Sequence, residues 1–171
     1  MPAIDFAAMP DDARLWIAAA ARPLTHDEVG RVERAVDDFL AGWNAHGHPV
    51  VGAREMRHGR FLMIAADERA TGVSGCSIDS LFRVLRSLEE ETGISMLDSS
   101  LVHYRDESGE IRAVTRPEFR EMARTGRVDA TTPVFDNTVA AVGGARGDRW
   151  ELPAGESWHA RAFGLTAAPV Q

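Results

Sequence analysis

The only cysteine in the chain, Cys76, stands in the string Ser74-Gly75-Cys76-Ser77, directly ahead of apolar residues at helical spacing. Unpaired backbone N–H groups and the dipole at a helix start stabilise a thiolate. A nearby imidazole deepens that effect, and a carboxylate can orient the imidazole. His46 lies just after Trp43, and Asp67 closes an apolar run. Cys76 as nucleophile, His46 as base and Asp67 as orienter form one candidate constellation, suited to a small acyl-type or anionic substrate. The structural alternative makes Cys76 a small buried filler, His46 a helix C-terminal cap and Asp67 the start of a turn.

The same segments admit two further chemistries. In an extended chain His46 and His48 project to one side, and with Cys76 or Asp67 they could offer zinc three or four ligands. Pro49 favours an extended His48. Against zinc stands the reading of both as ordinary histidines at a helix end. Backbone N–H groups at Ser74, Gly75 and Ser77 could instead hold a carboxylate or phosphate, with Gly75 allowing close approach. Trp43 and Asp79 complete that ligand-binding set. Plain helix capping needs no ligand, and Trp43 also completes a helix stripe and reads as core.

Composition excludes several classes. All 19 basic residues of the 171 are arginine, so no amine is present for a Schiff base or a phosphate-loop lysine. One cysteine allows no internal disulfide, no iron–sulfur cluster and no multi-cysteine zinc site. A net charge of -7 opposes nucleic acid and anionic membranes. No apolar run is long enough to span a bilayer, and Met1 to Asp12 does not read as a secretory signal. A soluble, cytoplasmic protein is therefore expected.

The elements that would position these residues follow from spacing. Thr25 and Glu28 form a capping box ahead of Val29, Val32, Val36, Phe39, Leu40 and Trp43, with Gly47 as the stop. Ser77 caps a second helix carrying Ile78, Leu81, Phe82, Leu85 and Leu88, ended by Thr92-Gly93. Thr115 and Glu118 open a short third helix that Gly126 closes. Strands are expected over 14–20, 50–56, 60–66, 100–105 and 110–114. Glu89-Glu90-Glu91 reads as a solvated helix end. Trp150, Trp158 and Phe163 are expected to pack the tail back onto the body.

The resulting order predicts an α+β fold of the ferredoxin-like split βαβ type (βαββαβ) over 1–115. Residues 116–171 form a C-terminal β-α extension of the same domain. In that topology the first helix ends where the second begins. Trp43, His46 and His48 then share one sheet edge with Ser74 to Ser77 and Asp67. His58 falls at the opposite edge, and His103 and Arg105 could approach the cluster.

Trp43-Asn44-Ala45-His46-Gly47 and Ser74-Gly75-Cys76-Ser77-Ile78-Asp79 resemble strings of an uncharacterised family of small bacterial proteins. The likeness extends through Val102-His103-Tyr104-Arg105 and Val134-Phe135-Asp136. Members of that family carry a transporter-ATPase label, which this chain cannot support without a phosphate-loop lysine. Separately, Phe119 to Phe135 is similar to the helix-turn-strand of small peptide-binding modules of the GYF type, which implies an interaction role for the C-terminal third. Two functions stand open: a cysteine-dependent hydrolase or transferase on a small substrate, and a non-catalytic ligand-binding, metal-binding or protein-interaction module. A small-molecule ligand and a homodimer are the expected partners, and the cofactor is unknown.

Overall fold

A computed structural model of the chain describes residues 4–69 and 71–165. Met1 to Ala3, the start of the segment weighed as a leader, lie outside the described residues. The fold is mixed α and β, with antiparallel sheets and five α-helices among the described residues. None of those helices is long and apolar enough to cross a membrane. The chain forms two compact units, Met1–Asp98 with Thr138–Gly144, and Ser99–Asn137 with Ala145–Gln171.

The first unit runs β1 (Arg14–Ala19), α1 (His26–Gly42), a small hairpin of β2 (Asn44–Ala45) and β3 (His48–Pro49), β4 (Val51–Arg57), β5 (Phe61–Asp67) and α2 (Gly75–Thr92). Its sheet has the order β1-β5-β4, with both outer strands antiparallel to β5. That central strand is the continuous apolar run, and Phe61 to Ala66 are all buried. Both helices pack on the face carrying Ala18, Leu62, Ile64 and Ala66 through Val32, Val36, Leu40, Leu81, Leu85 and Leu88. Arg54 in β4 clamps α1 from the side, bonding Asp37 at 2.7 and 2.8 Å and Glu33 at 2.6 Å.

The β-α-β-β-α part of the expected order is thus present, but its fourth strand is elsewhere. Leu101–Arg105 pairs with Ile111–Thr115 and, at Tyr104, with Pro133–Phe135. The outer edge of β1 is covered by other segments. Leu15 N–H donates to the Ala140 carbonyl and Ala19 N–H to that of Met96, both at 2.9 Å. The chain leaving α2 is held there by buried Ile94 and Met96. The Glu89 carboxylate accepts from Met96 N–H at 2.6 Å and Leu97 N–H at 2.8 Å. Glu89 is therefore a fastening for this segment and not a solvated helix end.

Caps decide the helix limits. Thr25 and Glu28 form the expected box on α1. The helix stops at Gly42, earlier than Gly47. His46 and Gly47, at φ 52° and 79°, are the two central residues of the β2–β3 hairpin, whose register pairs Ala45 with His48. Two positive φ values are what a two-residue type I′ turn requires. On α2 the cap is Ser74 and not Ser77. Ser77 N–H donates to Ser74 Oγ at 3.2 Å while Ser74 N–H donates to Ser77 Oγ at 2.8 Å.

The second unit runs β6 (Leu101–Arg105), β7 (Ile111–Thr115), α3 (Arg116–Arg124), β8 (Pro133–Phe135), β9 (Glu151–Pro153) and α5 (Trp158–Phe163). A short helix, α4 (Val142–Arg146), crosses the chain boundary between the units. The sheet order is β7-β6-β8-β9. Phe119 is fully buried, with Tyr104, His159 and Phe163 around it at centroid distances of 5.6, 6.2 and 4.9 Å. His159 is 1% exposed, and its Nδ1 lies 2.7 Å from Ser157 Oγ.

Burial pushes the His159 pKa down to about 4, so the imidazole is neutral in the fold. The unfolded chain protonates it near its ordinary value, about 6.5. Stability is then lost as pH falls from about 6.5 towards 4, by an amount on the order of 3 kcal/mol for this group. Urea unfolding across that window is expected to show the decline, and His159→Phe to flatten it. An unchanged slope in the variant would remove His159 as the cause.

Candidate functional site

The two motif segments meet through one hydrogen bond. Buried Trp43 donates from its indole Nε1 to the carbonyl oxygen of Ser77 at 3.1 Å. The ring also packs against Trp16 at 6.0 Å and Phe39 at 5.2 Å between centroids. Val50 N–H returns to the Trp43 carbonyl at 3.0 Å, which closes the base of the β2–β3 hairpin. The end of α1 and the start of α2 thus share one edge, and Asp67 reaches that edge through its pairing with Val51.

Within that edge most residues have structural work. Trp43 and Ala45 are core, Gly47 makes the turn, and Ser74 and Ser77 cap each other. Asp67 is committed as well. Its carboxylate accepts from Arg69 Nε at 2.8 Å, Arg69 Nη2 at 2.6 Å and Arg69 N–H at 3.0 Å. Those side-chain bonds hold its pKa below the usual carboxylate range. Among the described residues Asp67 shares no hydrogen bond or ion pair with His46, so the orienter of the expected triad already serves Arg69. Cys76 is exposed on the first turn of α2 and is not a buried filler. His46 and His48 are exposed, as are Gly75 and Asp79. Among the described residues no group of three or more His, Cys, Asp and Glu side chains could hold a metal ion, so the zinc set built on His46 and His48 does not assemble. His58 and Gly59 repeat the positive φ pair of His46-Gly47, at 53° and 59°, which marks His-Gly in this chain as a turn element. His103 and Arg105 belong to the second unit.

A groove that sequence reasoning missed lies within the second unit. Its volume is about 680 Å³. Its buried lining is Tyr104, Met122 and Val128, at 7, 8 and 3% exposure. Most of the rest of its lining comes from the β6–β7 turn at Asp106 to Ser108 and from Gly126, Arg127, Asp129, Thr131 and Thr132 of the α3–β8 connection. Both rims are held by local hydrogen bonds. Asp106 Oδ1 accepts from Ser108 N–H at 3.0 Å, Ser108 Oγ at 2.6 Å and Glu110 N–H at 3.0 Å. Asp129 Oδ1 accepts from Thr131 N–H at 2.8 Å and Thr131 Oγ1 at 2.6 Å, while Asp129 N–H donates to Thr132 Oγ1 at 2.9 Å. Gly126, at φ 74°, ends α3 in a Schellman turn. In it Arg127 N–H donates to Met122 O at 2.9 Å and Gly126 N–H to Ala123 O at 3.2 Å. The sequence signals for these rims are Asp106-x-Ser108, Asp129-x-Thr131 and Gly126. Each signals a turn and none signals a ligand.

A comparison with known proteins finds no matching family model, no matching characterised protein and no matching solved structure.

The exposed position of Cys76 sets an expectation for its chemistry. Iodoacetamide should alkylate Cys76 in the native protein without prior unfolding. Asp67→Asn should leave the rate unchanged, because Asp67 is engaged with Arg69. Mass-spectrometric rates with and without denaturant decide this. Labelling that needs denaturant, or that collapses in the Asp67 variant, would contradict the placement.

Proposed function

We propose that the protein is a non-catalytic binding protein whose second unit receives an extended polypeptide segment in the groove beside Tyr104. The observation that carries this reading is the groove's build, a buried floor of Tyr104, Met122 and Val128 between two hydrogen-bonded rims. Its volume of about 680 Å³ falls within the range of ligand-binding clefts. Rims ordered before binding lower the entropy that a ligand must offset. The likeness of Phe119 to Phe135 to GYF-type peptide-binding modules supports the same class. The first unit serves this reading as a scaffold, a ferredoxin-like β-α-β-β-α arrangement short of its fourth strand.

A second reading rests on Cys76. In the strings that share its edge, Cys76, His46 and Asp79 are exposed side chains without an intramolecular hydrogen bond or ion pair among the described residues. Such a surface thiol fits a cysteine-dependent transferase acting on a small acyl substrate. The engaged Asp67 weighs against a triad there.

Two measurements separate these readings. Titration of isotope-labelled protein with capped random hexapeptides, followed by amide NMR, should shift Arg105 to Ser108 and Gly126 to Thr132 together. Turnover of p-nitrophenyl acetate should not exceed that of a free thiol, with or without Cys76→Ser. Peptide shifts confined to the start of α2, or turnover well above the free-thiol rate that Cys76→Ser abolishes, would overturn the binding reading.

A further inference from the structure

We infer that the groove of the second unit recognises a single peptide carboxylate, held by the Arg127 guanidinium and the Tyr104 hydroxyl. This rests on the groove being a peptide site, as proposed above. Five charged residues line it: Arg105, Asp106, Glu107, Arg127 and Asp129. Arg105 is spent. It forms a two-pronged pair with Glu151, and its Nη1 donates to Gly109 O at 2.9 Å. Asp106 is spent too, accepting from Arg112 Nε at 2.7 Å and from Ser108. The Arg127 side chain has no hydrogen-bond or ion-pair partner among the described residues, and its backbone is fixed by the Schellman turn.

Tyr104 supplies the second donor. It is 7% exposed, lines the groove, and its hydroxyl has no hydrogen-bond partner among the described residues. The ring is held by the core, and the hydroxyl reaches the groove where a ligand or water can meet it. Burial raises its pKa and nearby Arg127 opposes the rise, so the hydroxyl keeps its proton and donates. A phenol O–H and a guanidinium on one cleft match a carboxylate, which only accepts.

Glu107 and Asp129 limit the choice. Both carboxylates stand on the same groove, so they repel a run of acids and tolerate one carboxylate flanked by neutral or basic residues. The carboxylate is either an Asp or Glu side chain or a chain terminus. Both sources present the same chemistry, and separate probes tell them apart.

The test uses the full chain and amide NMR titration with four peptides. Acetyl-Gly-Asp-Gly-amide carries a side-chain carboxylate and acetyl-Gly-Gly-Gly a terminal one. Acetyl-Gly-Asn-Gly-amide is the neutral control and acetyl-Asp-Asp-Asp-amide the polyacid. At least one single-carboxylate peptide should bind about tenfold more tightly than the neutral control, the usual scale of a charge-assisted hydrogen bond. The polyacid should show no gain over it. Arg127→Gln should abolish the preference and Arg127→Lys should restore part of it. Tyr104→Phe, which keeps the ring on Phe119, should weaken carboxylate binding about threefold or more and leave the neutral control unchanged. Equal binding of the neutral control, or a preference that survives Arg127→Gln, overturns the carboxylate inference and leaves the peptide groove standing. If none of the peptides shifts Gly126 to Thr132, the groove reading falls and the inference with it.

Discussion

A buried indole N–H without an acceptor is costly, and in the first unit Trp43 is the residue that finds one. Its partner is the carbonyl of Ser77, in the first turn of α2. One side chain therefore joins the end of α1 to the start of α2, while its ring rests on Trp16 from β1 and Phe39 from α1. The sheet must yield space for it. A Cβ on Gly52 would stand 2.7 Å from Leu40 Cδ2 and 3.3 Å from Trp43 Cε3, so glycine is what lets the end of α1 descend onto β4. The hairpin that follows and the exposed turn bearing Cys76 take their positions from this contact.

What could be read from the sequence was what local physics decides. The capping boxes at Thr25 and Thr115 and the left-handed Gly93 depend on residues a few positions apart. So do the stripes of α1 and α2. The juxtaposition of Trp43 with Ser77 was also legible, because the β-α-β-β-α order constrains which ends meet. The fourth strand was not. Whether Leu101–Arg105 or another segment lies beside β1 is a competition between distant stretches. The anchoring of Ile94 and Met96 and the bond from Leu15 to Ala140 decide it, and no local pattern encodes either. Gly47 shows a subtler failure. A glycine past an apolar stripe reads as a helix stop, yet His46-Gly47 also satisfies a two-residue hairpin, and only the packing of Ala45 and Val50 chooses between them.

The candidate site was legible in a different measure. Sequence reasoning found residues of reactive type, and the structure gives several of them structural tasks. Ser74 and Ser77 satisfy each other, and Asp67 satisfies Arg69. Residue type alone does not distinguish a free group from a committed one. The groove escaped notice because three separated segments build it and its side chains form no motif. Tyr104 in particular reads as an ordinary strand residue, and its ring does pack on Phe119 as one would.

Charge compensation carries more information in this chain than charge itself. Every cation is an arginine, and the planar guanidinium engages a carboxylate with two parallel bonds. Arg22 with Glu28, Arg54 with Asp37, Arg69 with Asp67 and Arg124 with Glu121 all take that form. Pairs of this kind at the surface add little stability, because water already solvates both partners. They do remove both groups from the set able to meet a ligand. Where a groove is lined by one committed arginine and one uncommitted arginine, the second defines what the groove can attract. The Tyr104 hydroxyl lines the same groove and likewise has no hydrogen-bond partner among the described residues. Arg105 and Arg127 are chemically the same residue on the same groove, and the bonds of Arg105 to Glu151 and to the Gly109 carbonyl make their roles differ.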